Sequence, residues 1–260
     1  MSRAFYNEVV APLAAGVRHS AALIGPGSEV QAFDTERSAD HDWGPRVLLF
    51  VAPEAVGEVE EQVAAGLPAR FGGYPTVFAQ SGSLRHGVRV HELGGWLAGR
   101  LGFDPRGRVS TLDWLSAPWQ ALAEVTRGEV FHDGLGELAA VRQALAWYPD
   151  DVWRYVLACQ WRRISAEESF PGRCAEVGDE LGSAALAAGL ARQVMRLALL
   201  QRRRYPPYAK WLGSALARLP GAAELGQALA GAVAARSWGE REQALCSAYE
   251  RLAAVHNRIA

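Results

Sequence analysis

Apolar residues at Phe5, Val9, Leu13 and Val17 recur every four positions and predict an amphipathic helix over residues 5–18, with Pro12 inside it. A short strand over residues 21–24 follows. Residues 47–51, Val-Leu-Leu-Phe-Val, are apolar without alternation, as in a strand covered on both faces. Pro53 opens a helix over residues 53–67, with Glu54, Glu58, Glu60 and Glu61 along it and Gly66 and Pro68 at its end. Residues 70–84, rich in glycine, aromatic and small polar residues, predict a loop with a short strand. Over residues 88–93, alternation sets Val88, Val90 and Glu92 on one face of a strand and Arg89, His91 and Leu93 on the other.

Helical periodicity takes over further along. Short helices are expected over residues 95–101 and 111–126, the second broken near Pro118, and from Leu135 the pattern is mostly helical. A helix over residues 137–147 stops at Tyr148-Pro149, and Asp150 or Asp151 caps the next. A long helix is expected over residues 174–204, ended by Tyr205-Pro206-Pro207-Tyr208. Shorter helices follow over residues 212–219, 223–235 and 240–256. The pattern therefore predicts an α/β domain over residues 1–130 and a helical domain over residues 131–260. The boundary falls between Thr126 and Gly136.

Composition narrows the class. Half of the 260 residues are apolar and 21% are charged, which suits a globular chain. With 27 basic against 28 acidic residues the net charge is −1, so there is no strong nucleic-acid signal. Cys159, Cys174 and Cys246 are widely spaced and indicate neither a disulfide framework nor a thiolate zinc site. Glu8 and Pro12 interrupt any signal-like segment, and no later run reaches membrane-spanning length without charge. A soluble, cytoplasmic protein with no membrane partner is the expectation, and a homo-oligomer is left open.

The candidate chemistry lies between the first two strands. Gly25-Pro26-Gly27-Ser28 is a turn that lets a ligand approach the backbone closely, and Ser28 either caps a helix or hydrogen-bonds a phosphate. Asp40 and Asp42, two apart, present both carboxylates to one face of an extended segment. Two such carboxylates repel unless a cation sits between them, and a hard divalent cation bridging to substrate phosphates supplies that charge. His41, between them, faces the other side. Arg37 and Arg46 are candidate phosphate contacts, with a solvated loop charge and a carboxylate partner as their ordinary alternatives. Lys210, after two prolines and two tyrosines, is either a phosphate contact or a surface residue at a helix start. Asp113 reads as a capping residue before it reads as a metal ligand. The run Gln201-Arg202-Arg203-Arg204 complements a helix C-terminus, binds an anionic partner or stays hydrated.

Gly27-Ser28, the loop over residues 29–39 and Asp40-His41-Asp42 resemble the nucleotidyltransferase superfamily with the DNA-polymerase-beta-type fold. More closely, the chain resembles DUF4037-type proteins of that superfamily. That likeness is carried by Asp40 to Arg46, Asp113-Trp114-Leu115, Trp147 to Trp153 and Tyr208-Ala209-Lys210-Trp211, and it covers nearly the whole chain. The resemblance implies an α/β nucleotidyltransferase-like domain with a C-terminal helical domain. It also implies Mg²⁺, a nucleoside triphosphate as substrate, and an unidentified small-molecule or protein acceptor. A third carboxylate on a later strand is implied as well, and Glu92 is its best positional match, acting as metal ligand or as the group that polarises the acceptor hydroxyl. Gly44-Pro45 departs from the simplest superfamily pattern, because it separates the carboxylates from the apolar strand. A nucleotide-binding or regulatory protein without transfer activity is the alternative expectation.

Overall fold

The computed structural model describes residues 1–40, 44–80 and 83–259, with the side chains of residues 39–40, 78–80 and 83–85 outside the description. The chain divides into two units, Met1–Ala146 and Trp147–Ala260. The expected boundary at 130/131 falls inside a strand of the first unit, because the sheet recruits Glu129–Asp133 as an edge strand.

The first unit begins with helix α1, residues 2–13, in which Tyr6–Val10 is wound as a π-helix. Pro12 has no N–H to give to the carbonyl four residues back, and the widened turn before it accommodates that loss. The helix stops short of the expected residue 18, and Gly16 turns the chain at φ 89°. Strand β1 is Ser20–Leu23 and β2 is Val47–Phe50. Between them the only regular element is a 3₁₀ turn, Glu36–Asp40, among the described residues.

Pro53 starts a 3₁₀ turn that leads into α2, Val56–Gly66. Residues 70–86 form two small hairpins, β3 (Arg70–Phe71) with β4 (Tyr74–Pro75), and β5 (Val77–Gln80) with β6 (Ser83–His86). Strand β7 is Val88–His91 and leads into α3, Leu93–Leu101, which ends on Gly102 in the left-handed region at φ 87°. Helices α4 (Thr111–Ser116) and α5 (Trp119–Thr126) are split at Pro118, as the sequence predicts. Ser110 and Asp113 form a capping box at the start of α4, which settles Asp113 as a cap. Strand β8, Glu129–Asp133, and helix α6, Leu138–Ala144, complete the unit.

The sheet order is β7-β2-β1-β8, with β2 antiparallel to β1 and parallel to β7, and β8 antiparallel to β1. Phe5, Tyr6 and Val10 of α1 and Val59 and Val63 of α2 pack with Ala21, Val47, Leu49, Val88 and Val90 in one buried cluster. Phe50 meets Trp96 of α3 edge-on at 5.4 Å. Helices therefore cover both faces of β2, consistent with its unbroken apolar run.

A buried polar pair ties α1 to β1. Nδ1 of His19 lies 2.8 Å from the Val17 carbonyl and must donate to it, so Nε2 accepts from the Tyr6 hydroxyl at 2.9 Å. The His132 ring is 5.0 Å away. Burial lowers the His19 pKa; the Val17 bond opposes that shift and His132 adds to it. The native state thus takes up a proton less readily than the unfolded chain, and stability falls as pH drops through the unfolded value of about 6.5. Urea midpoints of wild type and His19→Gln should therefore converge between neutral and mildly acidic pH. A gap that stays constant would show that His19 does not titrate unfavourably in the fold.

The second unit is helical: α7 (Asp150–Ser165), α8 (Phe170–Glu176), α9 (Glu180–Gln201), α10 (Leu212–Ala217), α11 (Ala223–Ala234) and α12 (Trp238–His256). No side chain caps α7, and Asp150 and Asp151 sit in its first turn instead. The long helix expected over residues 174–204 is broken, because Gly178 takes φ 78° and Asp179 caps a new helix through the Gly182 N–H at 2.7 Å.

Helix α9 packs against α7, α8, α10, α11 and α12. It is long and apolar enough to cross a membrane by length and composition alone, and half of its apolar window is buried within the protein. Arg241 of α12 is 2% exposed and donates to Ser183 Oγ at 2.7 Å, to Glu180 at 3.1 Å and to the Ala235 carbonyl at 3.1 Å. Arg241→Ala should cost roughly 2–4 kcal/mol in denaturant unfolding through a cavity and lost hydrogen bonds. Glu180→Gln, on a half-exposed partner, should cost less than about 1 kcal/mol. Equal losses would contradict this account.

Candidate functional site

Because β2 runs antiparallel to β1, the turn that leaves β1 and the segment that enters β2 lie at the same end of the sheet. Gly25 donates its N–H to the Glu124 carbonyl at 2.8 Å, with φ 90°. Ser28 begins no helix; a single turn closes through the Phe33 N–H to the Ser28 carbonyl at 2.8 Å, with Ala32 left-handed at φ 56°. The Ser28 side chain is half-buried, and its hydroxyl makes no hydrogen bond among the described residues.

Arg46 fastens the turn to β2. Its guanidinium donates to the Pro26 carbonyl at 2.8 Å and pairs with Glu29 at 2.5 Å, while its backbone N–H reaches Ser2 Oγ at 3.2 Å. Gly27 lies directly beneath, since a Cβ there would sit 2.4 Å from the guanidinium and 2.5 Å from the Glu29 carboxylate. Arg46 thus has the carboxylate partner that was its ordinary alternative. Its buried Nε has no hydrogen-bond partner among the described residues. That Nε and the Ser28 hydroxyl are donors of the kind a phosphate oxygen would satisfy.

Two further groups at this end were missed from sequence. Glu124 is 2% exposed and accepts from Gln120 at 3.0 Å and Arg100 at 3.4 Å. Arg100 in turn lies over the Trp96 ring at 5.8 Å, beside Gly25. The signal was a lone carboxylate inside the apolar run Ala121-Leu122-Ala123-Glu124-Val125, a position that requires a partner when buried.

The remaining expected site residues are placed as follows. Asp40 ends the 3₁₀ turn Glu36–Asp40, with its backbone described and its side chain outside the description. Asp42 and His41 lie outside the described residues. Arg37 is exposed on the same 3₁₀ turn. Lys210 belongs to the second unit, exposed, with Nζ 4.7 Å over the Trp211 ring.

Glu92 stands elsewhere. It follows β7 and lies level with Val51, whose N–H donates to the His91 carbonyl, whereas the Gly25–Ser28 turn adjoins the start of β2. β2 and β7 are parallel, so their last residues share the end opposite the turn. The Glu92 carboxylate caps α3, accepting from the Gly94 N–H at 2.8 Å and the Gly95 N–H at 2.5 Å, and pairs with Arg106 at 2.9 Å. Desolvation raises its pKa, but the bonds from Gly95 and Gly94 and the Arg106 charge outweigh that and hold it below the ordinary glutamate value. Glu92 therefore serves as the cap of α3, at the end of the sheet opposite the turn, where the parallel pairing of β2 and β7 delivers it. Among the described residues no group of three potential ligands is arranged to hold a metal.

Residues 114–212 match the family described as "Domain of unknown function (DUF4037)". No curated protein and no solved structure matches the chain. The turn, Arg46 and Glu92 precede the matched stretch; Glu124 and Lys210 fall within it.

If Glu92 serves as a cap, Glu92→Ala should lower stability by about 1 kcal/mol. Magnesium-dependent nucleotide binding, measured calorimetrically, should stay unchanged. Loss of binding by the folded variant would return Glu92 to the ligand set.

Proposed function

We propose that the chain is a metal-dependent nucleotidyltransferase, moving a nucleoside monophosphate from a nucleoside triphosphate to a hydroxyl-bearing acceptor. The observation that carries the reading is the shared end of β1 and β2. There a tight Gly-Ser turn, with the half-buried Ser28 hydroxyl and the buried Arg46 Nε unbonded among the described residues, adjoins the segment that enters β2 after Asp40-His41-Asp42.

In this reading Gly27 admits the phosphate tail against the backbone, and Ser28 and Arg46 orient it through their donors. Asp40 and Asp42 would hold Mg²⁺, which offsets phosphate charge when bound. The acceptor hydroxyl gives its proton to solvent as its oxygen forms a bond to the α-phosphorus, the bond to the β-phosphate bridging oxygen breaks, and pyrophosphate leaves. A small-molecule or protein acceptor accords with a net charge of −1. A reducing cytoplasm accords with the three unpaired cysteines.

The described charges support a metal requirement. Arg46 is paired with Glu29, Arg100 with Glu124 and Arg3 with Glu129, so these three guanidinium groups are already balanced by carboxylates. A triphosphate arriving with its own cation avoids the repulsion that a bare polyanion would meet.

A second reading, a nucleotide-binding regulatory protein without transfer activity, is favoured by the engagement of Glu92 at the opposite end of the sheet. Calorimetry with ATP, GTP, CTP and UTP, with and without Mg²⁺, separates the cases. Under the leading reading, wild type binds a nucleotide only with Mg²⁺, Asp42→Asn weakens binding by at least about tenfold, and Asp40→Ala abolishes pyrophosphate release with a suitable acceptor. Binding without release across a broad acceptor panel selects the regulatory reading. Magnesium-dependent binding that survives in both variants would refute the site itself.

A further inference from the structure

The helical unit contains a cavity of about 260 Å³ that the transfer reading does not use. Its walls come from the C-terminal end of α9, the turn before α11, the first residues of α11 and the last turns of α12. Ala198, Leu225 and Leu252 give it an apolar lining.

Three polar features converge on this cavity. The first is Gln201, 3% exposed, whose Nε2 donates to the Leu252 carbonyl at 3.0 Å. That bond fixes the amide orientation and leaves Oε1 as a buried acceptor with no partner among the described residues. A buried acceptor without a donor costs about 1–3 kcal/mol, which a ligand donor would recover.

The second feature is the start of α11, a helix of 12 residues with Ala222 at its N-cap and no side-chain cap. Its first-turn N–H groups and dipole favour an anion. The third is charge. Arg202 and Arg258 line the cavity, and neither has an ion pair among the described residues. Arg251, the remaining arginine, is matched by Glu224.

The arginine run after Gln201 is thereby divided by task. Arg203 takes φ 53°, pairs with Asp150 at 2.7 Å and lies over Trp153 at 4.1 Å. Arg202 lines the cavity instead.

We propose that this cavity is a binding site for a small phosphate monoester that carries an amine or hydroxyl. Arg202, Arg258 and the α11 N-terminus hold the phosphate dianion, and Gln201 Oε1 accepts the ligand's N–H or O–H. Two arginines with a helix N-terminus match two negative charges better than the single charge of a carboxylate. The site stands on the helical unit alone and is independent of the transfer reading.

The test is calorimetric titration of the full chain with phosphoethanolamine, methyl phosphate and β-alanine as probes. Phosphoethanolamine should bind at least about tenfold more tightly than methyl phosphate, which lacks the donor, and than β-alanine, which lacks the phosphate. Arg202→Ala with Arg258→Ala, both on exposed side chains, should weaken phosphoethanolamine by at least about tenfold without loss of fold. Gln201→Met should erase the preference over methyl phosphate. The proposal is overturned if phosphoethanolamine shows no binding at about 10 mM, if the double arginine variant binds it as wild type does, or if β-alanine binds equally well.

Discussion

The antiparallel pairing of β1 with β2 is the constraint from which the first unit's chemistry follows. With Ala22 opposite Leu48 and Ser20 opposite Phe50, the exit of β1 meets the entrance of β2. A turn of Gly-Pro-Gly-Ser and the lead-in through Pro45 and Arg46 are then held side by side, although some twenty residues separate them in sequence. The Arg46 guanidinium fills the space over Gly27 and joins the two by a carbonyl bond and an ion pair. The same registry excludes Glu92, since β7 is parallel to β2 and delivers its C-terminal residue to the far end.

Polar groups are buried around this end of the sheet, among them Glu124 and Gln31. Gly25 is tied to the main chain at Glu124, and the Glu124 side chain is held by Gln120 and Arg100. Removing one member of such a set leaves another buried without compensation, so the set holds its geometry. Gly128 adds a steric condition on the same strand end: at φ 74° a Cβ would lie 2.0 Å from the Leu23 carbonyl, a backbone atom that cannot swing aside. The turn is therefore braced by α3 and α5 together.

How much of this could be read from the chain depended on whether the signal was local. The β1, β2 and β7 strands and the split at Pro118 follow from apolar runs and from proline, which act within a few residues. The break at Gly178-Asp179 has a local cause too, but it was masked by apolar residues on both sides that continue the helical spacing. Glu92 shows where alternation stops: the strand ends at His91, and the Glu92 carboxylate turns onto the N–H groups of Gly94 and Gly95. Glu124 left a local trace, a carboxylate inside an apolar run, whereas Gln201 was invisible as a site residue because its environment is built from segments distant in sequence.

The helical unit makes the complementary point about charge. Both units bury polar groups, but Arg241 finds Ser183, Glu180 and Ala235, whereas Gln201 satisfies its amide N–H and leaves its carbonyl oxygen without a donor. A core helix that needed only to pack could carry leucine at that position, as it does at Leu197 and Leu200. An amide kept at the wall of a cavity, next to an unpaired arginine and an uncapped helix start, costs stability that packing does not return. That cost falls when a hydrogen-bond donor occupies the space, and the proposed ligand would supply one together with an anion for Arg202 and the helix start.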